Sequence, residues 1–225
     1  MSPVTSLERR AFVQAQTRLM APPLVPEIQL YLAAVATDLW EATEAKLAET
    51  GLPPPYWAFA WPGGRALARL LLDRPELAAG KTVFDFAAGG GIAAIAAAKA
   101  GASRVTACEI DAFALEAMAL NAAANGVVLE MAAGDCLGAL PEADLVLAGD
   151  VFYEKPMADR VWPWLQALAA RGAAVLVADP GRAYLPATGL VEIACYDVPT
   201  DRDLEDRDIR RTRVLRVVAL GQQVA

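Results

Sequence analysis

The chain has 225 residues, 56% hydrophobic and 21% charged, with a net charge of −7, no histidine and three cysteines. That length suits one domain with a sizeable core, and without imidazole a Ser-His-Asp triad, a histidine metal site and a histidine proton shuttle are excluded. The acidic balance disfavours a partner held mainly through phosphates. Cys108, Cys136 and Cys195 are odd in number and widely spaced, which fits neither a disulfide framework nor a zinc site and suggests a reducing compartment.

The first residues carry Glu8, Arg9 and Arg10 with no apolar run behind them, unlike a signal peptide. The most apolar stretch, Ile92–Ala102, holds Lys99 and is too short to cross a bilayer. The expectation is a soluble cytoplasmic protein with no membrane or nucleic-acid partner and no bound metal. Leu7–Met20 reads as a helix stopped by Pro22-Pro23, and Pro26–Glu49 as a second, with Gly51 past its end. Pro53-Pro54-Pro55 forces an extended turn. An aromatic run, Tyr56-Trp57-Ala58-Phe59-Ala60-Trp61, leads through Pro62-Gly63-Gly64 into a helix over Arg65–Leu72, with an apolar stripe at Leu67, Leu70 and Leu71.

From residue 81 strands alternate with helices. Strands are expected at Thr82–Phe86, Arg104–Cys108, Val127–Met131, Asp144–Ala148 and Ala173–Ala178, and helices at Gly91–Ala100, Asp111–Asn125 and Met157–Ala170. This rhythm gives an α/β fold with a doubly wound, mostly parallel, Rossmann-like sheet. Leu190–Val198 and Thr212–Leu220 are strand-like and joined by a loop, Thr200–Arg211, with five acids and four arginines. So polar a connection is no packed crossover helix, and the pair is expected as an antiparallel hairpin at one edge of the sheet.

Between the first of these strands and its helix lies Asp85-Phe86-Ala87-Ala88-Gly89-Gly90-Gly91. Glycines there let the backbone turn sharply and approach a ligand at the carboxyl ends of the strands. Glu109, twenty residues after Gly89 at the end of the next strand, suits hydrogen bonding to a ribose diol. Dinucleotide dehydrogenases and S-adenosylmethionine enzymes share this plan. A negative Asp85 inside the first strand would oppose a pyrophosphate, and the terminal hairpin is foreign to dehydrogenases.

The spacing Asp-x-Ala-x-Gly-x-Gly from Asp85 to Gly91 resembles motif I of the seven-strand S-adenosylmethionine methyltransferases, with Ala87 where the first glycine is usual. The resemblance implies that Asp85, Ala87, Gly89 and Gly91 hold the methionine end of the cofactor. It further implies that Glu109 and Ile110 hold the ribose, and Asp135 and Cys136 the adenine. Asp150-Val151-Phe152-Tyr153 resembles the Asp-x-x-Tyr of the protein-lysine branch, with Asp150 beside both cofactor and amine and Tyr153 closing the pocket. Val25-Pro26-Glu27-Ile28, the run Pro54–Gly64, Gly149–Tyr153 and Asp179-Pro180-Gly181-Arg182 are similar to the electron transfer flavoprotein β-subunit lysine methyltransferases. That family implies S-adenosyl-L-methionine as methyl donor, S-adenosyl-L-homocysteine as product, and the flavoprotein β subunit as the lysine-bearing partner. Trp57 and Trp61 would then wall the cofactor's sulfonium. Residues 1–80 would form a helical cap and gating segment, and 81–225 the methyltransferase core. The alternatives are a ribosomal protein L11-type lysine methyltransferase, which usually carries a further N-terminal domain, and a non-enzymatic cofactor-binding protein of the same fold.

Overall fold

The computed structural model of the chain describes residues 4–33 and 54–218, the side chain of Asp203 excepted. Helix α1 (Ser6–Gln16) opens with a capping box, in which Thr5 accepts from the Glu8 amide and Glu8 accepts from that of Thr5. Strands β1 (Arg18–Met20) and β2 (Leu30–Leu32) pair antiparallel, and α2 spans Pro62–Asp73. Next come β3 (Thr82–Phe86), α3 (Ile92–Lys99), β4 (Arg104–Glu109), α4 (Ala112–Ala124) and β5 (Glu130–Ala133). Then follow β6 (Leu145–Gly149), α5 (Lys155–Ala170), β7 (Ala174–Asp179), β8 (Leu190–Pro199) and β9 (Ile209–Val217).

The large sheet has the order β5-β4-β3-β6-β7-β9-β8. Strands β3 to β7 run parallel, and β9 lies antiparallel between β7 and β8. The expected terminal hairpin is therefore present, with β8 as the edge. Strand order reverses between β3 and β6, so a crevice opens at their carboxyl ends, where α/β sheets bind ligands.

Side chains alternate between two cores, as the period of a strand dictates. Val83, Leu145, Leu147 and Leu176 pack under α2 and α3 against Leu67, Leu71 and Ile95. Phe84, Phe86, Val146 and Val177 pack on the other face under Val161, Trp164 and Leu165 of α5. Burial on both faces is why β6 and most of β7 read as unbroken apolar runs.

The amino-terminal region departs from expectation. Helix α1 stops at Gln16, and residues 18–20, expected to continue it, are strand β1. Thr17 ends the helix in an extended conformation, its hydroxyl donating to the Val13 carbonyl. The second expected helix is absent where the chain is described. Ile28, Leu30 and Leu32 are buried at alternating positions, the strand period, and the rest of that expectation lies outside the described residues. Two carboxamides, Asn121 of α4 and its C-cap Asn125, satisfy this backbone in place of further strands. Asn121 accepts from the Tyr31 amide, and Asn125 both accepts from and donates to Gln29. The strand expected at Val127–Met131 begins instead at Glu130, because residues 127–129 follow the end of α4 outside the ladder, with Val128 88% exposed.

Candidate active site

The turn between β3 and α3 is held in the left-handed region at Ala87 (φ 52°), Gly89 (φ 53°) and Gly91 (φ 81°). Gly91 has a second requirement, since a Cβ there would stand 2.6 Å from Met118 Cγ. Glu109 pins this turn. Its Oε2 accepts from the Gly89 amide at 2.9 Å and its Oε1 from the amides of Ile110 and Asp111 at 2.8 and 3.1 Å. Asp85 is buried, and Oδ2 accepts from the Ala94 amide in the first turn of α3 at 3.0 Å. Burial pushes its carboxyl up to about 7, with the Glu109 charge acting the same way against that hydrogen bond.

A cavity of about 790 Å³ opens over this turn. Asp85, Ala87, Gly89, Glu109 and Ile110 line one side, and Asp135 and Cys136 continue the wall past β5. Gly91 is set back from the wall, behind its neighbours. Asp135 is half-exposed and paired with Arg160 at 2.6 Å, which holds its carboxyl below the usual range. Cys136 is joined to Cys108 by a disulfide, with Cα atoms 6.7 Å apart. This corrects the reading of three unpaired thiols. The two residues are 28 apart in sequence, and the pairing of β4 with β5 makes their strand ends neighbours. Cys195 is free.

The aromatic run forms the opposite wall. The Trp57 indole is buried with Val13, Ala114 and Leu120, and its backbone carbonyl covers the glycine turn, 3.0 Å from where a Cβ on Gly90 would lie. Trp61 donates from Nε1 to the Tyr56 carbonyl at 2.8 Å. The rings of Tyr56 and Trp61, and of Tyr56 and Tyr153, have centroids 5.9 Å apart. Tyr153 thus joins an aromatic rim with Tyr56, a residue the sequence reading placed in the run without a site role. Burial pushes the Tyr153 hydroxyl up to about 12, so it stays protonated.

Asp150 follows β6 with φ 56°, in the left-handed region, a conformation that persists in a non-glycine residue when its surroundings over-determine it. Oδ2 accepts from the Gly63 amide at 2.5 Å and Oδ1 from Arg182 Nη2 at 3.0 Å. Trp61, the N-cap of α2, makes no side-chain cap, so a carboxylate from a distant strand end caps this helix and meets its positive terminus. Burial pushes Asp150 up to about 6, with Arg182 opposing. The glycines of Pro62-Gly63-Gly64 serve this approach as well as the cavity. A Cβ on Gly63 would lie 2.5 Å from both Asp150 Oδ2 and the Ala178 carbonyl. Sequence reasoning missed Arg182 as a site residue, together with its second partner Glu205, buried in the β8–β9 connection. Asp179-Pro180-Gly181-Arg182 was legible only as a segment similar to the family, with no site role attached.

Residues 67–150 match the family described as ribosomal protein L11 methyltransferase (PrmA). The electron transfer flavoprotein beta subunit lysine methyltransferase of Xenopus laevis is 41% identical over 177 residues, 77% of this chain and 71% of that protein. The Rattus norvegicus protein of that name is 33% identical over 230 residues, 92% of this chain and 84% of its own. Among solved structures, a Thermus thermophilus 16S rRNA methyltransferase in complex with AdoMet and guanosine superposes with a TM-score of 0.50 at 21% identity, covering 72% of this chain and 44% of that one. That likeness shows the seven-strand methyltransferase fold.

Proposed function

Because the chain belongs to the electron transfer flavoprotein β-subunit lysine methyltransferase family, and is an S-adenosylmethionine-dependent methyltransferase, we propose that it methylates lysine side chains of the electron transfer flavoprotein β subunit. The observation that carries this reading is the alignment of such a relative over 92% of the chain, whereas the L11 methyltransferase match stops at residues 67–150. The cavity fits the cofactor. Glu109 Oε2, which accepts only from the Gly89 amide and keeps a second lone pair, would take a ribose hydroxyl. Asp85 would face the ligand's ammonium, and Asp135 and Cys136 would border the adenine. When bound, S-adenosylmethionine supplies an electrophilic methyl group on a sulfonium.

The chain's part is to present a neutral amine. Free lysine has a pKa of about 10.4, and a wall of Tyr56, Trp61 and Tyr153 lowers it by penalising the ammonium. Asp150, at about 6, is a weaker base than free lysine by roughly four pKa units. Each of its oxygens holds one donor from the chain and retains a second lone pair, so its role is to orient the amine. Among the described residues no helix is long and apolar enough to cross a membrane. The proposal places the protein in the cytoplasm.

The test is incubation with labelled S-adenosylmethionine and either the flavoprotein β subunit or ribosomal protein L11, with lysines mapped by mass spectrometry. Label on the flavoprotein is expected. Label confined to L11 transfers the proposal to that substrate, and no binding of S-adenosylhomocysteine in calorimetry overturns both.

A further inference from the structure

Arg182 stands where three distant parts of the chain meet. The turn that carries it is fixed by Asp179, whose Oδ1 accepts from the amides of Gly181 and Arg182, both at 2.6 Å. Its Nη2 reaches Asp150 at 3.0 Å and Glu205 at 2.5 Å, Nη1 reaches Glu205 Oε2 at 3.1 Å, and the guanidinium lies 6.0 Å from the centre of the Trp61 ring. Glu205 belongs to the helical turn Arg202–Glu205 of the β8–β9 connection and is only 3% exposed. A carboxylate so buried is tolerable only when paired, and Arg210 Nε completes the pairing at 3.0 Å. The preceding residue, Leu204, lines the cavity and packs beside the Trp57 and Phe59 cluster. The outer side of this connection is charged and exposed, as the Arg202–Asp208 pair shows.

We propose that Arg182 is a positioning residue that joins the β8–β9 connection to Asp150, so that the segment facing a protein substrate and the carboxylate facing its amine are held as one unit. The planar fork of arginine suits this, because it serves two carboxylates at once where a lysine ammonium offers a single point charge. The inference rests on the reading of Asp150 as the group on the amine side.

Charged groups facing Asp150 come from every neighbouring element. They are Arg182 and Asp179 after and at the end of β7, Arg65 from α2 and Glu205 from the connection. Removing Arg182 leaves Arg65 as the cation among them. The acidic limb of the kcat/KM profile should then move up by about one pH unit.

The experiment uses the full chain with S-adenosylmethionine and the flavoprotein β subunit. Arg182→Ala should lower kcat by about thirtyfold while the affinity for S-adenosylhomocysteine stays within about threefold. Arg182→Lys should restore the pH limb but only part of kcat. Glu205→Gln, which leaves the Arg182–Asp150 contact in place, should raise KM for the protein more than it lowers kcat. Independently of turnover, Arg182→Ala and Arg182→Lys should speed amide hydrogen exchange at both residues 202–206 and Gly63. An active wild type with unchanged kcat and pH profile in Arg182→Ala overturns the proposal, as does loss of cofactor affinity equal to the loss of activity. If the wild type methylates neither protein, the functional reading fails, and the exchange measurement still decides the coupling. Unchanged protection at either segment in both arginine variants refutes it.

Discussion

Replacing Gly63 by alanine tests the closest packing in the site. The new Cβ would stand 2.5 Å from the Ala178 carbonyl oxygen, 2.5 Å from Asp150 Oδ2 and 2.7 Å from the Asp150 amide nitrogen. Two of these atoms are backbone, tied to each other by the hydrogen bond from the Asp150 amide to the Ala178 carbonyl at 3.0 Å. They cannot retreat without opening the end of the β6–β7 ladder, where Gly149 pairs with Ala178. Overpacking of this kind costs about 1–3 kcal/mol. Displacing the charge-assisted bond from Gly63 to Asp150 adds about 1.5–3 kcal/mol, and the better helix propensity of alanine returns up to about 1 kcal/mol. The net is about 1.5–5 kcal/mol, a fall in Tm of roughly 3–20 °C for a chain of this size, readable by circular dichroism. Gly64→Ala is the comparator. Its Cβ would meet the Ile92 Cγ2 methyl at 2.9 Å, one side-chain atom instead of a strand end, and should cost less than about 1.5 kcal/mol. A Gly63→Ala protein melting within about 2 °C of wild type, or a Gly64→Ala protein that is the less stable of the two, would refute the reasoning.

Asp150→Asn should abolish methylation while leaving the affinity for S-adenosylhomocysteine within a few-fold, measured by calorimetry; equal loss of both would contradict its assignment to the amine side. Glu109→Ala should weaken S-adenosylhomocysteine binding by about 10–100-fold through lost ribose bonds and a released Gly89 amide, and unchanged affinity in a titration counts against that role. Asp85, pushed up to about 7 by burial, binds its proton more tightly in the folded chain than in the unfolded chain, where the pKa is about 3.9. Its contribution to the stability of the ligand-free protein is therefore fully present below about pH 4 and lost as pH rises through about 7. Asp85→Asn should flatten that decline in thermal melts between pH 5 and 8, and a parallel decline in the variant would show the group is not responsible.

The parallel core was legible because its signals are local. Thr82–Phe86 is a continuous apolar run broken only by Asp85 and closed by a glycine turn, and the structure ends the strand at the same residues. Asp85, Glu109 and Asp150 fall in or just after parallel strands, so topology alone gathers them around one crevice. What sequence could not supply depends on partners far along the chain. Strands β1 and β2 are three residues each and Leu-rich, which suggests helix, and Asn121 of α4 with its C-cap Asn125 serves the backbone around β2. The Cys108–Cys136 link needs the β4–β5 register. Arg182 and Glu205 need to be known as buried before their pairing can be inferred, and the polarity of Thr200–Arg211 argued for solvent.

Strand β9 enters the sheet last in sequence yet lies inside it, between β7 and β8. Leu204 reaches the cavity, and Glu205 reaches Arg182, only when that strand is seated, since both sit in the connection leading into it. The glycine turn and the wall from β3 to β6 draw instead on strands nearer to one another in sequence. The amine side is completed only once β9, which ends at residue 217, is in place. Such long-range pairing is slow to form. The amine side is thus the part of the site that waits on the last pairing of the sheet.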